Sequence, residues 1–89
     1  MIIVNDSDET ICFVPIHPVS APTQERDLLR LLREEPIEPR SRRKFERDDV
    51  PLLNVEGRHR LTMLTCDGQA SALEQIDLAA GAIVTIDTF

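Results

Sequence analysis

A chain of 89 residues with 42% apolar side chains has room for one small domain and a modest core. Its net charge of −6 and its aromatic content, three Phe with no Trp or Tyr, exclude a broadly basic nucleic-acid binder and weigh against a base-stacking platform. No apolar run approaches the roughly 20 residues of a membrane-spanning helix.

Met1-Ile2-Ile3-Val4 runs directly into the polar stretch Asn5-Asp6-Ser7-Asp8-Glu9, without the positive start and long apolar segment of a secretory signal. The chain is therefore expected in the cytoplasm, or within a cytoplasmically assembled particle. Its two cysteines, Cys12 and Cys66, are expected as reduced thiols. Ile2 to Val4 reads as a strand and Thr10 to Val14 as a second. The polar loop between them suggests a hairpin. Pro15 and Pro18 should end the second strand or place it at a sheet edge, because proline has no N–H for the ladder. His17 to Pro22 then reads as an extended connector.

From Gln24 to Glu34 the spacing predicts a helix, with Leu28, Leu31 and Leu32 on one stripe and Leu29 beside it. Thr23 is the expected N-cap, and Pro36 should stop the helix at Glu35. Residues 36–49 read as a proline-flanked basic connector. Within it lies the chain's most distinctive feature, Arg40-Ser41-Arg42-Arg43-Lys44-Phe45-Glu46-Arg47. Five of the ten cations sit here beside one acid, a local +4 that leaves −10 on the rest of the chain. A short helical turn and a mobile arm are both compatible with this stretch.

The second half reads as β-structure. Val50 to Val55 and His59 to Cys66 are strand candidates, and Asp67-Gly68 marks a two-residue hairpin turn. Ser71 to Ala80 has a competing helical reading, from the capping-box spacing of Ser71 and Glu74, but the turn before it favours strand. Ala82 to Phe89 is a β-branched run and reads as a strand. The fold class expected is α+β: mostly antiparallel β, as a small sheet or partly open barrel, with one main helix at about 24–34, all in a single domain.

The pattern offers little chemistry. Cys12–His17 and His59–Cys66 have odd offsets, so on strands each pair points to opposite faces, and a zinc site is disfavoured. Cys12 and Cys66 are better read as small buried hydrophobes, and His17 and His59 as surface or rim residues. His59 lies between Arg58 and Arg60, whose charge opposes its protonation, and Cys66 beside Asp67, whose charge opposes its thiolate. No nucleophile elbow is present, and the three glycines are too far apart to cradle a phosphate. No catalytic residue, cofactor or metal is assigned.

The expected function is non-enzymatic: an interaction or assembly protein, such as a small structural component of a larger, virion-like particle, or a docking inhibitor or adaptor. Its partner would be another protein or further copies of itself. Arg40, Arg42, Arg43, Lys44 and Arg47 would supply charge-assisted contacts and Phe45 an apolar anchor. Edge strands at the two ends of the sequence would add main-chain pairing, unless they pair with each other or with internal strands. The alternative is a nucleic-acid-contacting regulator using the same basic segment. A small metal- or thiol-dependent enzyme ranks third. The bland reading of the segment is a patch paired with the chain's own acids.

Overall fold

A computed structural model of the chain describes residues 1–45, 58–71, 74–77 and 83–89. Its elements in order are β1 (Ile2–Asn5), β2 (Ile11–Phe13), β3 (Pro15–Pro18), a 3-10 turn (Pro22–Gln24), β4 (Arg26–Asp27), α1 (Leu28–Leu31), β5 (Ser41–Lys44), β6 (Arg58–Leu61), β7 (Leu64–Thr65), β8 (Glu74–Asp77) and β9 (Ile83–Ile86). They form three small sheets, ordered β5-β1-β9, β2-β7 and β4-β3-β6-β8. Among the described residues, every strand pairing is antiparallel except β1 with β9. The protein is thus mostly β, with a minor helical part.

One core joins the sheets. Ile3, Val84 and Ile86 enter it from the β5-β1-β9 sheet, Ile11 from β2, and Ile16, Leu61 and Ile76 from the four-stranded sheet. Leu28 and Leu29 enter from α1, and Met63 from the link between β6 and β7. Period-two alternation places them there: β9 reads exposed, buried, exposed, buried, and β6 does the same.

The expected long helix is reduced to one turn, and the N-cap is Asp27 rather than Thr23. Asp27 accepts from the Leu29 amide at 3.2 Å and from the Val14 amide at 3.0 Å, while the Leu28 amide donates to the Val14 carbonyl. These bonds hold Arg26–Asp27 in extended pairing with β3, so the helix begins only after them. It ends in a Schellman arrangement. Glu34 donates to the Leu29 carbonyl and Arg33 to the Arg30 carbonyl, with Arg33 in the left-handed region at φ 55. The leucine spacing was real, but Leu28 and Leu29 are the ones fully buried, while Leu31 is exposed.

The expected β1–β2 hairpin does not form. The Asn5 side chain rolls residues 5–9 into a compact turn, and β1 pairs on one side with β5 and on the other with β9. β2 instead pairs with β7 and makes two reciprocal 2.9 Å bonds with Ile37. β2 ends at Phe13, ahead of Pro15 as expected, but extended structure resumes at once as β3, whose first and last residues are Pro15 and Pro18. Both prolines still accept, the Pro15 carbonyl from the Thr62 amide and the Pro18 carbonyl from the Ala21 amide.

Val50 to Val55 lies outside the described residues. The segment from His59 to Cys66 is two strands rather than one, broken where Met63 donates to Ser71 Oγ. β8 makes Glu74–Asp77 a strand, paired with β6. The turn after Thr65 has three loop residues, not two. The Gly68 amide bonds the Thr65 carbonyl, Thr65 pairs with Gln69, and Gly68 takes φ 92 at the position that closes the loop.

Candidate functional site

Within the basic segment, Ser41–Lys44 is a strand. Its side chains alternate, Ser41 and Arg43 half-buried, Arg42 and Lys44 exposed, because β5 is laid against β1 in fixed register. The alternation divides the cations by role. Arg40 enters the strand in the left-handed region, φ 57, and reaches back to the turn after β1. Its guanidinium donates to Asp6 Oδ1 at 3.0 Å, to the Asp6 carbonyl at 3.1 Å and to Asp8 Oδ1 at 2.8 Å. These bonds, that to Asp8 first, raise the Arg40 guanidinium above its ordinary value. Both pairs are solvent-exposed, so they fix geometry more than they stabilise. Arg43 crosses to Glu34 Oε2 at 2.8 Å and to the Glu35 carbonyl at 3.1 Å.

Two of the expected contact residues, Arg40 and Arg43, are therefore engaged within the chain. A third, Phe45, is corrected outright: it is 2% exposed and packed in the core, not presented as an anchor. The cause is the ladder. The Phe45 amide donates to the Met1 carbonyl, and the Met1 ammonium donates to the Phe45 carbonyl, so the strand register turns the ring inward. Arg47 lies outside the described residues. Arg42 and Lys44 remain on the outward face.

What that face contains was not legible from the segment alone. The registers place Arg42, Val4 and Thr85 in one row across the sheet, and Lys44, Ile2 and Ile83 in the next. Residues registered opposite one another share a face. The outer face of β5-β1-β9 thus has a cationic flank, a half-buried aliphatic centre, and Ile83 at 67% exposure on the far side. Its inner face carries Ile3 and Val84 into the core. Of the two strands expected as open edges, β1 is the sheet's centre, bonded on both sides, and it pairs with β9 directly. β5 and β9 flank it among the described residues.

The cysteines and His59 also differ from expectation. Cys12 and Cys66 form a disulfide across 54 residues, with Cα atoms 4.9 Å apart, rather than two buried thiols. Spacing cannot reveal such a pair. It follows from β2 and β7 meeting in one small sheet, with Ile11 opposite Thr65. His59, expected at the rim, is fully buried on the inner face of β6, while Arg58 and Arg60 on either side point outward. His17 is half-buried, with Nδ1 2.8 Å from the Pro18 carbonyl. Among the described residues, no three His, Cys, Asp or Glu side chains converge as a metal site. No helix among them is long and apolar enough to cross a membrane.

Comparison with protein-family models, with curated proteins and with solved structures finds no match for this chain.

Proposed function

We propose that the protein is a non-enzymatic interaction or assembly protein that docks through the outer face of β5-β1-β9. The partner is a protein surface that sets aliphatic side chains beside carboxylates. The two cross-strand rows carry this reading: Ile83, Ile2 and Val4 offer apolar area, and Arg42 and Lys44 border it with positive charge on a chain that is otherwise acidic. Such a face suits a subunit of a larger particle, further copies of the same chain, or an inhibitor or adaptor docked on a larger protein. Arg47 stays with the proposed contact set, because it continues the same basic segment.

The nucleic-acid alternative gains less support. Arg40 and Arg43 are committed to Asp6, Asp8 and Glu34, and the ring of Phe45 is not available to stack on a base. The disulfide counts against the cytoplasmic placement expected from sequence, since thiols in that compartment are held reduced.

The test is affinity capture from the native host, with sedimentation alongside, comparing wild type with Arg42→Glu/Ile83→Asp. Both substitutions fall on outward side chains, so the fold should persist while a specific captured protein, or self-association, is lost. Capture and sedimentation unchanged by the double substitution would refute this face.

A further inference from the structure

The two residues of the Cys12–Cys66 disulfide differ in their exposure to solvent. Cys66 is exposed, in the turn following β7, while Cys12 is half-buried in β2. The ladder beside it is slight: Ile11 with Thr65 and Phe13 with Leu64, with a shift of register between them. Ile11 of β2 is also held by the two bonds it makes with Ile37. The base of the hairpin is held independently too. Met63 donates to Ser71 Oγ at 3.0 Å, Ser71 to the Met63 carbonyl at 2.9 Å, and Thr62 to the Pro15 carbonyl at 3.1 Å. The cross-link therefore fastens a hairpin tip whose two neighbours are already anchored without it.

We propose that Cys66 is the point of attack in a reversible thiol–disulfide exchange that unlatches the 64–70 tip from β2, with a small thiol of the glutathione class as co-reactant. In the first step the external thiolate attacks Cys66 Sγ. A new sulfur–sulfur bond forms there, the Cys12–Cys66 bond breaks, and the electron pair leaves on Cys12 Sγ, which takes a proton from water. A second external thiolate attacks its own kind in the mixed disulfide. It releases the oxidised small disulfide and leaves Cys66 as a thiolate that is then protonated. Two external thiols are oxidised and one protein disulfide is reduced, so the electrons balance. Attack at Cys66 is favoured because an incoming thiolate must reach the sulfur in line, and Cys66 is the more exposed of the two residues. Unlatching releases Leu64 from Phe13, which is already 43% exposed, so the reduced form presents more apolar surface at this corner than the oxidised form does.

The experiment uses the full chain in native buffer. Thiol titration of protein purified without reductant should find no free cysteine. Reduced glutathione should then open the bond without denaturant, at a rate within about tenfold of that in the urea-unfolded chain, as expected for an accessible sulfur. Peptide mapping should place the glutathione adduct on Cys66. Amide exchange should accelerate across 64–70 while β1 and β5 stay protected. Two free thiols at the outset, reduction only in urea, an adduct on Cys12, or simultaneous loss of protection in all strands would each overturn the proposal. As a second arm, Cys12→Ser retains the attacked thiol. It should take up glutathione from oxidised glutathione at least about tenfold faster than Cys66→Ser, and equal rates would refute the asymmetry.

Discussion

Replacing Asn5 tests whether one buried amide organises the turn after β1 and ties it to residues 37–38. The side chain is fully buried. Nδ2 donates to the carbonyls of Glu9 at 2.8 Å, Ile37 at 3.1 Å and Glu38 at 3.1 Å, and Oδ1 accepts from the Ser7 amide and hydroxyl. In Asn5→Ala the three carbonyls each keep another donor: Ser7 Oγ, the Ile11 amide and Ser41 Oγ respectively. The residual cost falls on the Ser7 amide, buried and without its acceptor, and on the space vacated, about 2–3 kcal/mol together. Asn5→Asp keeps the shape and both bonds from Ser7 but turns a second carboxylate oxygen toward three carbonyl oxygens. Near neutrality this should cost more, about 3–5 kcal/mol, as an uncompensated buried charge. Burial among acceptors raises the folded carboxyl above its unfolded value. The penalty is then full above the folded value, shrinks as pH falls, and vanishes below the unfolded one, so mild acid should narrow the gap to Asn5→Ala. Urea denaturation of the three proteins, near neutrality and in mild acid, measures this. An aspartate variant as stable as the alanine variant near neutrality, or a gap indifferent to pH, would refute the account.

Three further outcomes follow from the geometry. Phe45→Ala should lower stability by about 3–5 kcal/mol in thermal or urea denaturation, because the ring is core and not contact surface. Arg33 and Gly68 both hold positive φ, so opposite substitutions should have opposite signs: Arg33→Gly should stabilise by about 0.5–1 kcal/mol and Gly68→Ala should destabilise by about 1 kcal/mol. No atom lies within 4 Å of a Cβ built on Gly68, so the second effect is backbone strain alone, and Gly68→Asn should recover part of it. Asp27→Ala should cost about 1–2 kcal/mol in the same assays, since it removes acceptors from both Leu29 and Val14.

The local strand signals of the sequence were informative. Ile2 to Val4, the run around Ile11 and the β-branched run before Phe89 are strands, and Glu74–Asp77 is strand rather than helix. Asp67-Gly68 marked a real turn, one residue longer than two-residue hairpin chemistry implies. What sequence hid was partnership. The leucine periodicity at 28–32 is genuine, yet an aspartate that bonds back to Val14 truncates the helix, and that bond spans 13 residues. Phe45 amid five cations looks like surface until β1 is known to pair with β5, which decides the ring's direction. The disulfide and the mixed cationic–aliphatic face depend likewise on strands brought from opposite ends of the sequence. Charge was legible as a local excess, but which cations reach back to the chain's own acids, as Arg40 and Arg43 do, and which side chains face outward from β5 needed the register.

The parallel pairing of β1 with β9 has a kinetic consequence. β1 finds one ladder partner some forty residues along the chain, at Ser41–Lys44, and the other only at Ile83–Ile86. Until the second is in place, one side of Ile2–Asn5 has its main-chain donors and acceptors unpaired. Long loop closures of this kind slow folding and leave the nascent chain open to capture by other strands.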